Sequence, residues 1–476
     1  MRPNPCDSGT RYVVRSARVL VLVLGVPCFL GGLSASLASE GWEQGRLRMK
    51  DRGSGGVWTI DAPVTVSWRQ EALRGRQVVI ELTRNRRHGW SEIGRAEAES
   101  ESFTWTVAGE PGRAFVRVRV DDGRAPVRPR RITLAPPVRE ISFGTTFGIA
   151  LHEDGVIRVW GQIGQGYLSL VHHSSFFPEP TVLPEVSSIA SVSAGGTYAM
   201  AIKSDGTTWI LGPFYPGPVN FELRPIRGAE GATWVRAGYM GAYFGMEDGR
   251  VFGWTGRQDG VFRDSEGIPW DVALDAPSLS GVIDVAQGDD HALALRADGS
   301  VVSWGSNFLG QLGDELTGYR SAPGPVPGLN DVVAIAARSD TSLALLRDGT
   351  VWIWGIADYL NSPAIDTTYA TRPTRVEGLD DVVAIGCGWR SAYALRADGS
   401  MFAWGSNTAG QIGDGTTTDR TSPVECIQHG IRRFYVGDGA VHVITTTNER
   451  LAWGGGMGLG QGIDEVHPTP IAIHSR

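Results

Sequence analysis

"HALALRADGSVVSWGSNFLGQLGDE", His291 to Glu315, and "SAYALRADGSMFAWGSNTAGQIGDG", Ser391 to Gly415, are almost one line written twice, one hundred residues apart. A third version, "TSLALLRDGTVWIWG" from Thr341, lies midway between them. Aligned on the Asp of an Asp-Gly pair and a tryptophan six residues later, the chain shows seven copies. Their anchors are Asp154, Asp205, Asp248, Asp298, Asp348, Asp398 and Thr447, 43 to 51 residues apart. That period belongs to solenoids and propellers. Each copy opens on a β-branched strand such as "DVVAIAAR", turns into a second such as "LALAL", passes the Asp-Gly pair and runs a third strand to Trp-Gly. A Pro-containing segment such as "RPTRVEGL" or "SPVECI" supplies a fourth.

The recurring columns have physical reasons. Asp-Gly predicts a two-residue hairpin turn with both residues at positive φ, and Asn448 stands in for the glycine in the last copy. Ten residues before the anchor six copies have glycine, at Gly144, Gly195, Gly238, Gly288, Gly388 and Gly437, while the fifth has Arg338. Four before it a small residue recurs at Ala150, Ala201, Ala294, Ala344 and Ala394. The tryptophan stands at 160, 254, 304, 354, 404 and 453, with Leu211 in the second copy. Small residues beside large ones are what sheets packed radially about a narrow axis need, and the indole area would seal one sheet against the next. The fold class expected is all-β, a seven-bladed β-propeller over residues 138–476 preceded by a small β-sandwich. With no Pro-started strand before "VREISFG" and one at the C-terminus, "HPTPIAIHSR", the segment Thr469 to Ile473 is expected to complete the first blade and remove an open sheet edge.

The fourth and sixth copies, "H/S-x-x-A-L-x-x-D-G-S-x-x-x-W-G-S-N-x-x-G-Q-L/I-G", resemble the regulator of chromosome condensation repeat. That resemblance implies a seven-bladed propeller and one of two roles. One is protein recognition, as in secreted bacterial members that act as protein ligands or inhibitors. The other is guanine nucleotide exchange on a small GTPase. The family's histidine before the second strand survives only as His291, which makes it structural here.

Ahead of the repeats, Arg11, Arg15 and Arg18 precede the apolar run Val19 to Leu33 and the small-residue stretch ending at Ser39. Basic, then apolar, then small is a signal-peptide order, so residues 1–38 are expected to be removed on export, with Ser36-Leu37-Ala38 before the cut. The run is shorter than the ~20 residues of a membrane span. The expected location is secreted or in the cell envelope, with no stable span after cleavage. Residues 39–56 read as a linker. From 57 to 136 apolar residues alternate, as in Val64, Val66, Trp68 and Val116, Val118, Val120, with charges such as Arg117 and Arg119 between. Period two predicts strands, and in length the module is similar to fibronectin type III or immunoglobulin-like sandwiches. Cys6 and Cys28 leave with the signal segment. Cys387 and Cys426 remain, either bonded to each other or as two separate buried thiols.

The whole chain carries a net charge of −7, and residues 138–476, with 22 basic and 37 acidic side chains, hold a net −15. Such a surface repels phosphate backbones, so no nucleic-acid partner is expected. Catalytic patterns are lacking: there is no phosphate loop or G-x-S-x-G elbow, Lys50 and Lys203 are the only lysines, and the adjacent His172 and His173 lack ligand-spaced companions. No catalytic residue, metal or cofactor is assigned, and the chain is expected to be a monomer that is not an enzyme. A carbohydrate-binding or carbohydrate-active propeller would want paired carboxylates in a groove, which the sequence does not place.

What remains is surface. Turns joining equivalent strands line up on one face of a propeller, and the residues after the glycine column vary freely, which suits recognition. Tyr, Trp and Arg dominate binding hot spots. The candidate contacts to another protein are therefore Phe147, Tyr198, Tyr239, Met240, Trp389 and Arg390, rimmed by Asp289, Asp290, Asp340 and Asp438. Phe176, Phe177 and Trp270, in two long inserts, are lesser candidates.

Overall fold

Two alternation patterns dictate two β bodies. In the computed structural model the described residues are 48–49, 57–61, 63–69, 75–122, 129–163, 175–183, 186–212, 222–239, 241–255, 272–356, 369–455, 459 and 465–473. The expected signal segment lies outside them. Of the expected linker only Arg48–Met49 is described, and it is a short strand paired to Trp68 and Arg69 rather than unstructured chain.

The N-terminal body has a three-stranded and a five-stranded sheet over one core. The alternating set lies inside: Val66, Trp68, Val78, Ile80, Val116, Val118, Ile132 and Leu134 are buried. Trp68 satisfies its indole N–H on the Ala98 carbonyl at 3.1 Å. The outward arginines form a ladder on the five-stranded sheet, where Arg117 Nε meets Glu81 Oε2 at 2.6 Å and Arg119 Nε meets Glu81 Oε1 at 3.2 Å.

From Val138 the described residues form seven antiparallel four-stranded sheets, whose strands follow one another in sequence order. The inner strands are Val138–Phe143, Ile189–Ala194, Ala232–Ala237, Val282–Gln287, Val332–Arg338, Val382–Gly388 and Ile431–Val436. Each lies against the next and the last lies against the first, so the sheets are blades of a closed ring. The closure differs from the sequence expectation. His467–Ala472 pairs with Arg450–Gly454 as the outer strand of the seventh blade, while the first blade takes its own outer strand from Ser175–Val182. That strand, "SFFPEPTV", sits behind a long loop and reads in sequence as part of an insert. Blade seven meets blade one through side chains instead: Phe143 against His442 at 5.0 Å, Trp160 stacked on His442 at 5.6 Å, and Ile444 packed among Val138, Ile141 and Ala150.

The Asp-Gly turns also differ in detail. Only the glycine takes positive φ, as at Gly155, Gly206 and Gly299. The aspartate instead turns its carboxylate onto the backbone two residues ahead: Ser300 N–H donates to Asp298 Oδ1 at 2.9 Å and Thr350 N–H to Asp348 Oδ1 at 3.0 Å. This Asx bond holds the Asp at negative φ and makes a three-residue loop with a left-handed glycine.

The glycine column is a close-approach column. A Cβ on Gly288 would lie 2.3 Å from the Ser339 carbonyl oxygen of the next blade, and one on Gly195 2.4 Å from that of Gly238. The tryptophans seal blades as expected. Trp354 Nε1 donates to the Gln311 carbonyl of the preceding blade at 2.9 Å, and Trp453 Nε1 to that of Gln411 at 2.9 Å. Cys387 and Cys426 are free thiols packed into different core clusters.

Candidate functional site

Antiparallel order places every inner-to-second-strand turn on one face, together with every loop between third and outer strands. Direct bonds stitch the turns together: Thr145 N–H to Gly196 O at 2.9 Å, Gly196 N–H to Gly238 O at 3.1 Å, and Asp289 N–H to Ser339 O at 3.0 Å.

Two candidates are not on the surface. Phe147 is 1% exposed and Tyr198 7%. Phe147 begins the second strand of its blade and Tyr198 immediately precedes it, each one position past the turn tip, where the side chain enters the blade; the Tyr198 hydroxyl donates to Gly241 O at 2.7 Å and its ring lies against Trp254. They are core residues, not partner contacts. Tyr239 is half-buried, Met240 and Trp270 lie outside the described residues, Phe176 is described only in its backbone, and Phe177 packs on the first blade's core.

The aspartates form an inner cluster rather than a rim. Arg338, the exception in the glycine column, reaches from blade five to blade seven and puts Nε 2.6 Å from Asp438 Oδ1. At Gly144, Gly195 and Gly288 a Cβ would lie within 2.6 Å of the next blade's backbone oxygen, whereas at position 338 the ring holds a long side chain. Gln311 of the "GQLG" turn donates Nε2 to Asp340 Oδ1 at 2.9 Å. Burial raises the Asp289 carboxyl above its usual range against the pull of Arg338, with Asp438, Asp340 and Asp290 adding to the rise. Burial also raises Asp340, then the charge of Asp290, and it raises Asp438 although Arg338 opposes it. Asp290 itself is exposed.

Trp389 is 46% exposed at the tip of the sixth turn. Its neighbour Arg390 is held at φ 51°, with the guanidinium carbon 5.9 Å from the Trp389 ring. Sequence reasoning missed Phe308 and Leu316, 68% and 64% exposed on the loop after the fourth blade's third strand. The available signal was their contrast with Thr408 and Thr416 at the same places in the sixth copy. The rest of that loop is scaffold: Asn307 donates Nδ2 to Asp314 Oδ1 at 2.8 Å and accepts the Leu312 N–H at 2.9 Å. His291 is scaffold too. Its Nε2 donates to Ser342 Oγ at 2.8 Å, and Ser342 donates on to the Gln311 carbonyl at 2.9 Å.

Residues 282–311, 382–411, 298–345 and 398–433 match the Regulator of chromosome condensation (RCC1) repeat. Those two stretches of the chain are similar to the regulator of chromosome condensation repeat. It is 28% identical over 189 residues to mouse "Regulator of chromosome condensation", covering 34% of this chain and 41% of the mouse protein. The chain spans about two fifths of the length of these curated relatives, the mouse protein and Schizosaccharomyces pombe "Protein pim1". In structure it is similar to Prp20p from Saccharomyces cerevisiae, with a TM-score of 0.53 and 19% identity over 63% of this chain and 80% of that one. Human WBSCR16 aligns with a TM-score of 0.55 and 19% identity over 76% of this chain and 97% of that one. These structural likenesses establish the β-propeller fold.

Proposed function

We propose that this chain is an exported binding protein that acts by recognition rather than catalysis, and that its partner is another protein seated on the face of the inner turns. The observation that carries the reading is Trp389, exposed beside Arg390 on a turn held in a left-handed conformation, with Phe308 and Leu316 exposed on the same face. A large apolar side chain fixed in water by a rigid turn loses little entropy on binding, and Trp and Arg are hot-spot types. The acidic inner cluster adds a charge preference for a basic counterpart. Export is supported by the basic, apolar, small order of residues 1–39, and the net −15 of the repeat region speaks against a polyanion partner. Protein binding also agrees with the yeast neighbour, whose structure was described with its binding properties to Gsp1p and histones.

Affinity capture tests the reading. The chain from Ser39 onward, beside a Trp389→Ala/Arg390→Ala/Phe308→Ala variant, is exposed to the culture fluid and envelope of the producing organism. A protein retained by the parent and reduced at least tenfold in the variant, at equal Tm, is the expected result. Equal retention by both would move the contact elsewhere.

A further inference from the structure

The repeat puts apolar or neutral residues in two columns on the third strand. Three positions after the anchor stand Ile157, Thr208, Val251, Val301, Val351 and Met401, but Arg450 in the last copy. Four after it stand Trp209, Phe252, Val302, Trp352, Phe402 and Leu451, but Arg158 in the first. The two exceptions belong to the blades that meet where the ring closes, and the Arg158 charge acts on Arg450 there. His152, from the second strand of blade one, senses both.

All three are buried, with Arg158 6% exposed, Arg450 8% and His152 2%. Among the described residues, Arg158 Nε and Nη1, Arg450 Nε and Nη2, and His152 Nε2 have no hydrogen-bond partner. Neither guanidinium has an ion pair among the described residues; Asp154 acts on Arg158 only as a distant charge, and Tyr435 on Arg450. Burial and the Arg158 charge bring Arg450 down to about 10. Burying two like charges face to face without a counter-ion is strongly unfavourable, and buried donors are expected to be satisfied.

We propose that the seam between the first and last blades is a binding site for one hydrogen phosphate ion, clasped by Arg158 and Arg450 and read by His152. The Nε–Nη2 edge of a guanidinium is the fork that grips two oxygens of a tetrahedral oxyanion; Arg450 has that edge unpartnered, and Arg158 adds single donors at Nε and Nη1, on different sides of its guanidinium. Two guanidinium charges match a dianion. His152 supplies the selectivity. Its Nδ1 lies 2.7 Å from the Pro136 carbonyl, which can only accept, so Nδ1 carries the proton and Nε2 offers a lone pair. Hydrogen phosphate has a P–OH to donate to it, and sulfate has none. All three side chains are nearly withdrawn from solvent, which favours the small free ion over an ester as the ligand. It would lock a ring that closes without strand exchange, a role separate from partner recognition on the inner-turn face.

Equilibrium dialysis of the full chain with labelled inorganic phosphate at pH 7 tests this, together with melting curves in phosphate, sulfate and glycerol phosphate. Expected are about one ion bound per chain, a Tm that rises with phosphate concentration, and at least tenfold weaker effects of sulfate and the ester. Arg158→Leu/Arg450→Leu, which restores the apolar columns, should fold and lose both the bound ion and the phosphate-dependent rise. Should that variant fail to fold, His152→Leu gives a second reading: retained phosphate with sulfate now equal to it. No stoichiometric phosphate on the parent, or sulfate equal to phosphate on the parent, would overturn the proposal.

Discussion

His291 shows how one residue's burial reaches the behaviour of the whole fold. Burial brings its imidazole down to about 4 from an ordinary 6.5. In the unfolded chain the ring takes up a proton below about 6.5, whereas the folded one stays neutral until about 4. The stability it contributes is therefore complete above 6.5 and is lost as pH falls, at up to roughly 1.4 kcal/mol per pH unit. His152, held at about 3 by burial and the Arg158 charge, acts in the same direction. The raised carboxyls of Asp289, Asp340 and Asp438 oppose it, but only toward the carboxylate range. His291→Gln keeps an amide donor for Ser342 and cannot titrate. Urea unfolding at pH 7, 6 and 5 should give a flatter decline for the variant than for the parent, and parallel declines would contradict this account of the ring. The residue scale is also where the sequence misled. Phe147 and Tyr198 follow a turn tip by one position, and composition shows an aromatic there without showing that it points inward.

At the scale of the blade, the recurring columns were legible because each is a packing constraint that a single sequence repeats seven times. Gly288 and Gly195 stand where a Cβ would strike the next blade's backbone, and Trp354 and Trp453 stand where an indole reaches the preceding "GQxG" carbonyl. What was not legible was which strand closes which blade, because "SFFPEPTV" has no partner signal of its own and lies beyond a loop of unpatterned residues. The fifth copy lacks "GQxG", and Trp404 Nε1 is correspondingly buried without a partner. Trp354→Phe removes a made hydrogen bond, whereas Trp404→Phe removes an unsatisfied donor. The first should therefore be more destabilising than the second by about 1–2 kcal/mol. Chemical denaturation of the two variants measures the difference directly, and equal losses would show that the Gln311 bond adds nothing to the blade seal.

Taken as a whole molecule, the ring makes two kinds of surface from one repeat. Its hairpin end is uniform, with the same Asx turn in copy after copy. The inner-turn end is where the copies differ: an arginine crossing to Asp438, a tryptophan on a left-handed turn, and exposed Phe308 and Leu316 where another copy has threonines. Of the ten candidates, Tyr239, Asp289, Asp290, Asp340, Trp389, Arg390 and Asp438 are exposed or half-buried, Phe147 and Tyr198 are core, and Met240 lies outside the described residues. The variability of the turn tips was readable because it stands against constant neighbours. Depth was not, since it depends on how far each turn rises above the blade edge. The most direct test of recognition at this face is site-specific photo-crosslinking in the producing organism. A photoreactive residue is placed at Trp389 in one protein and at Arg347, exposed on the hairpin end, in another. A discrete protein adduct from position 389 that is absent from 347 is the predicted result. Adducts from 347 alone, or none from 389, would contradict the assignment of this face.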